Sequence, residues 1–283
     1  MNFRTIGIVG AGTMGRGIAQ VCVQRGFDVM LNDVDAKAID AAAVAIEKQL
    51  ARAVEKGRIS AEDQGAAMSR LHKTPTIDAL SAVDLCIEAA TENPDLKLDL
   101  FRRIEGVCSV DAIIASNTSS ISLTRIAGVC NRPERVIGMH FFNPVPVMEL
   151  VELIRALQTS DATFDAVSTF AQGLGKSVVS VKDSPGFVVN RMLVPLINEA
   201  VFVLAEGLAE AEEIDAAMKL GANHPIGPLA LADLVGLDVC LYVLDVLYRE
   251  FSDSKYRACP LLRRMVDAGR LGRKSGRGFF EYT

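Results

Sequence analysis

The chain has 283 residues, half of them hydrophobic and 23% charged, a composition that buries a substantial core in one large unit or two and lies well away from disordered chains. Acidic residues outnumber basic ones by 35 to 30, a net charge of −5, and without a dense Lys or Arg block neither nucleic acid nor an anionic membrane surface is an expected partner. No run reaches the roughly 18 to 20 uninterrupted apolar residues of a membrane span, and the six cysteines (Cys22, Cys86, Cys108, Cys130, Cys240, Cys259) are scattered without a CxxC pair, which points to a reducing cytoplasm and to no structural disulfide or metal.

The apolar opening from Met1 carries a single Arg before a short run and is interrupted by five glycines as far as Gly17, so it reads as strand, turn and helix of a soluble chain and not as a secretory leader. β-rich residues run from Phe3 to Val9, a helix-length segment from Thr13 to Arg25, and a second strand-like run from Phe27 to Asn32, the opening of a βαβ unit. Helical patterns follow at about Asp35 to Gly57 and Ser60 to Arg70. Strand candidates then come at Val83 to Ala89, Ala112 to Ala115, Arg135 to Phe141, Met148 to Ile154 and Ser177 to Val181. Short, nearly continuous apolar runs alternating with helices predict an α/β, Rossmann-like fold whose mainly parallel sheet is covered on both faces. After Lys182 strand-like runs cease, which predicts an all-α C-terminal domain. The junction is set at Ser184 to Phe187, with Ser184 capping a helix and Pro185 in its first position, giving domains 1–183 and 184–283. Pro195 falls inside the next helical pattern, one turn from Asn190, and is expected to kink it. The apolar stretch Val239 to Tyr248 suits core or subunit interface, and the mean hydropathy of +0.26 favours an oligomer.

Gly10, Gly12 and Gly15 form GxGxxG between the first strand and the first helix, with Thr13 and Met14 inside the turn. The first glycine permits the tight turn, the second lets backbone approach a pyrophosphate, and the third lets helix pack closely on sheet, while the helix N-terminus stabilises phosphate charge. Asp33 ends the second strand, 18 residues after Gly15, where a carboxylate accepts from ribose hydroxyls and repels a 2′-phosphate. No Arg follows it directly. NAD is therefore preferred over NADP, with FAD as the remaining competitor at this step.

Four further segments are informative: SNTSSISL (Ser116 to Leu123), GMHFFNPVPVMELVEL (Gly138 to Leu153), DSPGFVVNRML (Asp183 to Leu193) and GRKSGRGFFEY (Gly272 to Tyr282). Together with the glycine turn, and in matching order and spacing over essentially the whole chain, they resemble the short-chain L-3-hydroxyacyl-CoA dehydrogenase family, which includes bacterial 3-hydroxybutyryl-CoA dehydrogenases. The resemblance implies an oxidoreductase that reversibly converts an (S)-3-hydroxyacyl-CoA to the 3-oxoacyl-CoA with NAD, built as a nucleotide-binding domain followed by a helical domain for substrate and homodimerisation.

Oxidising a secondary alcohol needs a base for the hydroxyl proton as hydride leaves for the nicotinamide, and histidine suits neutral pH. Of His72, His140 and His224, His140 ends a strand at the carboxyl edge of the sheet, whereas His72 reads as a polar helix end and His224 as a loop residue before Pro225. If the chain doubles back around Pro146, Glu152 falls opposite His140, where it would hold the imidazole tautomer. Glu149, out of that register and on the opposite strand face, would not. The family's dyad also maps onto His140 and Glu152. By resemblance alone, Ser119 bonds the reacting oxygen and Asn190 completes the polar pocket. Glu92, Lys97, Asn117, Asn143 and Lys274 likewise match positions near ribose and nicotinamide, where the bland alternative is a solvated or capping side chain. Lys56 matches a position associated with CoA, and Gln49, Arg52 and Lys56 share a helix face at i, i+3 and i+7. Three alternatives stay open: a dicarboxylic substrate such as 3-hydroxyadipyl-CoA, a free 3-hydroxy acid, and a non-catalytic NAD-binding protein of the same fold.

Overall fold

Short β-branched runs separated by helices have one economical solution, a sheet with helices packed on its faces. The structure, a computed structural model, describes residues 3–282 and divides into two units, Met1–Ser184 and Pro185–Thr283. The first holds β1 (Thr5–Val9), α1 (Thr13–Gln24), β2 (Asp28–Asn32), α2 (Ala36–Glu55), α3 (Ala61–Ser69), β3 (Leu71–Thr74), β4 (Leu85–Glu88), α4 (Pro94–Val107), β5 (Ile113–Ser116), α5 (Leu123–Ala127), β6 (Val136–Phe141), β7 (Leu150–Arg155), α6 (Asp161–Gly173) and β8 (Ser177–Lys182). One eight-stranded sheet runs β3-β2-β1-β4-β5-β6-β7-β8. The strands from β3 through β6 pair in parallel, β7 runs antiparallel to β6, and β8 is parallel to β7. This is the mainly parallel Rossmann-like sheet expected.

Strands β4, β5 and β6 are buried along their whole length, as a sheet covered on both faces requires. Helix α2 turns Ile39, Ala42, Ile46 and Leu50 inward, spaced to form one apolar stripe. Its start is fixed by Asp35, whose side chain accepts from the Lys37 amide. The sequence reading missed β3, and His72 lies in that strand, paired with Met30, not at a helix end. Leu-His-Lys-Thr lacks an apolar pattern because β3 is an edge strand with one neighbour, and edges tolerate charge.

The second unit holds α7 (Val189–Ala205), α8 (Ala211–Gly221), α9 (Pro228–Val235), α10 (Leu237–Phe251) and α11 (Pro260–Asp267). These close around Ile197, Val201, Leu229, Leu244, Leu247 and Leu262. Its first helix starts later than Ser184 and Pro185 predict. Gly186 and Phe187 take positive φ values of 73° and 49°, a left-handed pair that a right-handed helix cannot include, so α7 begins at Val189. Pro195 lies inside it. At the chain's end the buried Asp233 accepts from the amides of Phe279 and Phe280 and from the Tyr282 hydroxyl, fastening the C-terminal segment to α9. No helix among the described residues is long and apolar enough to cross a membrane.

Candidate active site

Parallel strands deliver their following loops to one edge of a sheet, and ligands bind there, outside the carboxyl ends. In spatial order that edge presents Asp33 after β2, the glycine turn after β1, the 89–93 loop after β4, the 117–122 turn after β5 and His140 near the end of β6.

The glycine turn is shaped by close approach. Gly10 has a φ of 104°, and a Cβ on it would meet the Ala89 carbonyl at 2.6 Å; one on Gly15 would meet the Gly10 carbonyl at 1.8 Å. At Gly12 a Cβ would meet nothing within 4 Å. Gly12 caps α1 without a side-chain bond, and the first turn of the helix, which includes Thr13 and Met14, holds no acidic residue. Open backbone at an uncompensated helix N-terminus fits a pyrophosphate. Asp33 holds the turn in place, its Oδ2 accepting from the Ala11 amide at 2.8 Å and its Oδ1 from Asp35 at 3.0 Å. Asp33, Val34, Ile77 and Ala90 line a cavity of about 90 Å³ beside Gly10. Arg103 of α4 lines it too, a neighbour of Asp33 from 70 residues along the chain that motif spacing does not reveal. This set fits a dinucleotide.

A second cavity, of about 150 Å³, is lined by Met14 of the glycine turn and by Glu92, Lys97 and Asn117, three of the positions singled out from the resemblance. Lys97 and Asn117 are neither solvated nor capping residues. The Lys97 Nζ lies 2.5 Å from Glu88 Oε2, with both side chains essentially inaccessible. Ser116 Oγ donates to the same oxygen at 2.8 Å, while the Ala90 and Thr91 amides donate to Glu88 Oε1 at 2.9 and 3.4 Å. A buried carboxylate so fully partnered fixes the loop after β4. The side-chain oxygen of Asn117 accepts from the Phe141 amide at 2.9 Å, tying the end of β5 to the residue beside His140. Glu92 gathers the next turn, accepting from Thr118 Oγ1 at 2.7 Å, the Ser119 amide at 2.9 Å and Ser120 Oγ at 3.0 Å. Ser119 Oγ lies 3.4 Å from the same carboxylate.

His140 and Glu152 are direct partners in the β6–β7 register. The Nδ1–H of His140 donates to Glu152 Oε2 across 2.8 Å, and both side chains are buried. A carboxylate on Nδ1 sets the tautomer, so Nε2 carries the basic lone pair. The Phe142 ring packs at 4.6 Å between centroids, fixing the imidazole plane. Glu149 stands before β7 and is exposed. Asn143, also exposed, precedes Pro144 in the loop after β6.

Three residues singled out lie elsewhere. Gln49 and Arg52 at the end of α2 and Lys56 at its C-cap form an exposed stripe that flanks the buried face. In the second unit, Asn190 occupies the first turn of α7. Lys274 pairs with Asp238 at 2.6 Å. Sequence reasoning missed Glu88, whose partners are spread over 28 residues, and it also passed over Gly17 and Lys176, which hold the loop after His140.

Residues 5–184 match the family model for the 3-hydroxyacyl-CoA dehydrogenase NAD binding domain, and residues 186–282 match that for the 3-hydroxyacyl-CoA dehydrogenase C-terminal domain. The chain is 51% identical over 279 residues to a 3-hydroxybutyryl-CoA dehydrogenase of Bradyrhizobium diazoefficiens, covering 99% of this chain and 95% of the relative. It is 50% identical over 282 residues to a probable 3-hydroxybutyryl-CoA dehydrogenase of Bacillus subtilis, covering 100% and 98%. Among solved structures, the (S)-3-hydroxybutyryl-CoA dehydrogenase of Ralstonia eutropha superposes with a TM-score of 0.97 at 55% identity, over 100% of both chains. A glycine turn open to a dinucleotide, matched at both domains by one family, leaves a single assignment: this chain belongs to the 3-hydroxyacyl-CoA dehydrogenase family of NAD-dependent oxidoreductases.

Proposed function

We propose that the chain reversibly oxidises a short-chain (S)-3-hydroxyacyl-CoA, 3-hydroxybutyryl-CoA before others, to the 3-oxoacyl-CoA, with His140 as the general base. The observation that carries this reading is the 2.8 Å bond between His140 Nδ1 and Glu152 Oε2 at the carboxyl edge of a nucleotide-binding sheet. NAD, when bound, supplies the hydride acceptor. His140 Nε2 takes the hydroxyl proton, and Glu152 stabilises the imidazolium that results; in the reverse direction the imidazolium returns the proton. Ser119 and Asn190 are assigned to the reacting oxygen. Asp33, Gly10, Gly12, Thr13, Met14 and Gly15 are assigned to the adenosine and pyrophosphate, with Glu92, Lys97, Asn117, Asn143 and Lys274 towards ribose and nicotinamide. Lys97 acts there through Glu88, since its ammonium is already ion-paired. Gln49, Arg52 and Lys56 are assigned to the CoA phosphates, supported by their exposure on one helix face.

Residues 184–283 are assigned to substrate and to homodimerisation, supported by exposed apolar side chains on that unit such as Met192, Leu208 and Leu220. A cytoplasmic site is supported by six cysteines that are all free thiols. The substrate assignment is tested by following NAD reduction with (S)-3-hydroxybutyryl-CoA, a longer 3-hydroxyacyl-CoA, 3-hydroxyadipyl-CoA and free 3-hydroxybutyrate. One extra or missing methylene in an apolar pocket is worth about 10- to 200-fold, so kcat/KM is expected to be highest for the four-carbon thioester by at least about tenfold. Equal or faster turnover of the dicarboxylic thioester or of the free acid overturns the assignment.

A further inference from the structure

The strands that carry His140 and Glu152 are joined by residues 142–149, a loop too long for a tight turn to dictate their register. A slip of one residue there would turn Glu152 to the other face of the sheet. Something other than a hairpin turn has to hold the loop.

Three contacts do. Within the loop, the Pro144 carbonyl accepts from the amides of Val147 and Met148 at 2.9 and 3.0 Å. On one side Val145, 1% exposed, packs against Gly17 in α1, the helix of the glycine turn. A Cβ on Gly17 would come within 2.9 Å of Val145 Cβ, so this glycine, outside the GxGxxG pattern, makes room for the loop. On the other side Lys176, between α6 and β8, donates from Nζ to the carbonyls of Val145 at 2.6 Å and Met148 at 2.8 Å. Its neighbour Ser177 donates its amide to the Glu149 carbonyl at 2.8 Å and pairs with Leu150 at the start of β7.

Lys176 is an expensive way to fill space. Its side chain is buried, at 8% exposure, and among the described residues no carboxylate bonds or ion-pairs with its Nζ. Burial lowers its pKa below the ordinary lysine value, Arg25 adds to that shift, and Glu149 opposes it. Burying a cation against carbonyl dipoles alone costs stability that an apolar side chain of similar volume would not. The ammonium does supply donors for two carbonyls at once, in the loop that connects the proposed dyad.

We propose that Lys176 is a positioning residue for His140 and Glu152, acting by clamping the 142–149 loop through the Val145 and Met148 carbonyls. The proposal rests on the reading of His140 and Glu152 as the catalytic pair. Lys176 acts through the loop backbone, its Nζ bonding the Val145 and Met148 carbonyls.

The test compares wild type, Lys176→Met and Lys176→Arg in the full-length enzyme, at a temperature well below every melting midpoint. A misplacement of about 1 Å costs about 100-fold in rate, so Lys176→Met is expected to lower kcat by about tenfold or more. KM for the thioester and Kd for NADH should stay within about twofold. Arg keeps cationic donors in a different geometry and is expected to fall between the two. The chain has 3 histidines, so imidazole NMR reads the site directly, with His140 identified by its absence in His140→Asn. In Lys176→Met the His140 ring signals should move while those of His72 and His224 stay.

A lowered melting midpoint with unchanged kcat and unmoved His140 signals means a structural lysine only, and overturns the proposal. Should Lys176→Met fail to fold, Lys176→Arg carries the test, with unchanged kcat and His140 signals again overturning it. If Glu152→Gln leaves kcat intact, the dyad reading itself falls, an outcome separate from any result at Lys176.

Discussion

An imidazole becomes a useful base when its tautomer is fixed, and at His140 the fixing group is the carboxylate 2.8 Å away on the neighbouring strand. Replacing Glu152 by Gln keeps the shape but allows the wrong tautomer, a change that costs up to about 10⁴ in kcat where a carboxylate orients a catalytic histidine. Steady-state kinetics of Glu152→Gln should therefore lose at least about a hundredfold in kcat with KM little changed; a change confined to KM would mean that Glu152 only shapes the pocket. The Glu88–Lys97 pair makes a different demand. Removing one partner of a buried pair destabilises by about 3–5 kcal/mol, whereas replacing both with apolar groups is often neutral. Urea unfolding should find Lys97→Met destabilised by that amount, and Glu88→Gln with Lys97→Met partly recovered, because the Gln oxygen still accepts from the Ala90 and Thr91 amides without leaving a buried charge; an equal loss in both would contradict a charge-burial cause. At this scale the sequence speaks clearly where chemistry is local. Asp33 and the glycines have their meaning within one βαβ unit, and His140 stood out among only 3 histidines. Glu88 and Lys176 were opaque, and Lys97 was placed by resemblance alone without its ion pair, because a buried charge is recognised by partners that folding brings in from elsewhere.

Among the elements, α1 joins fold to cofactor most directly. Its glycines have separable duties, and substitution should separate them. Ala at Gly12 meets no protein atom within 4 Å, so stability should change by no more than about 1 kcal/mol from the altered cap, while Kd for NADH rises because the methyl stands where the pyrophosphate approaches. Ala at Gly15 would drive a carbon to 1.8 Å from the Gly10 carbonyl and should impair folding itself. Calorimetry and NADH titration of the two variants check this; equal loss of stability in both would contradict the division. Seven of the eight strands were readable as apolar runs, six because a covered sheet buries both faces and the mostly exposed edge strand β8 through its valines. The exception, β3, is a polar edge strand, and hydrophobic patterning carries no signal for it. The start of α7 was misread for a related reason. Ser-Pro looks like a cap followed by a first-turn proline, and only the left-handed pair at Gly186 and Phe187 reveals a turn there instead. By contrast the pairing of His140 with Glu152 was reached before any coordinates, from a chain reversal assumed around Pro146 and from the dyad that the family resemblance maps onto these positions.

At the scale of the whole molecule, two units divide the sequence signals unevenly. In the first, chemistry and fold share the same residues, so motif and element were read together. The second gave up its all-α character through composition and helical spacing, but little about which side chains do more than pack. Its buried Asp233, fastening the C-terminal segment, is an example that only coordinates disclose. The thiols offer a global check on packing. Burial pushes Cys130 and Cys240 up to about 12 and Cys22 higher still, and the thiolate is the reactive form. At about pH 8 these three should resist alkylation in the native protein and react fully in denaturant; rapid labelling of Cys22 or Cys240 in the folded enzyme would contradict the packing described.

The central claim, that His140 is the base for alcohol oxidation by this NAD-dependent family member, is tested most directly by single-turnover hydride transfer. Wild type and His140→Asn would be mixed with saturating NAD and (S)-3-hydroxybutyryl-CoA, with NADH binding measured alongside. Loss of a positioned general base costs about 10²–10⁴, so the variant should transfer hydride about a thousandfold more slowly while binding NADH within about twofold of wild type. Transfer within about tenfold of the wild-type rate would contradict the account.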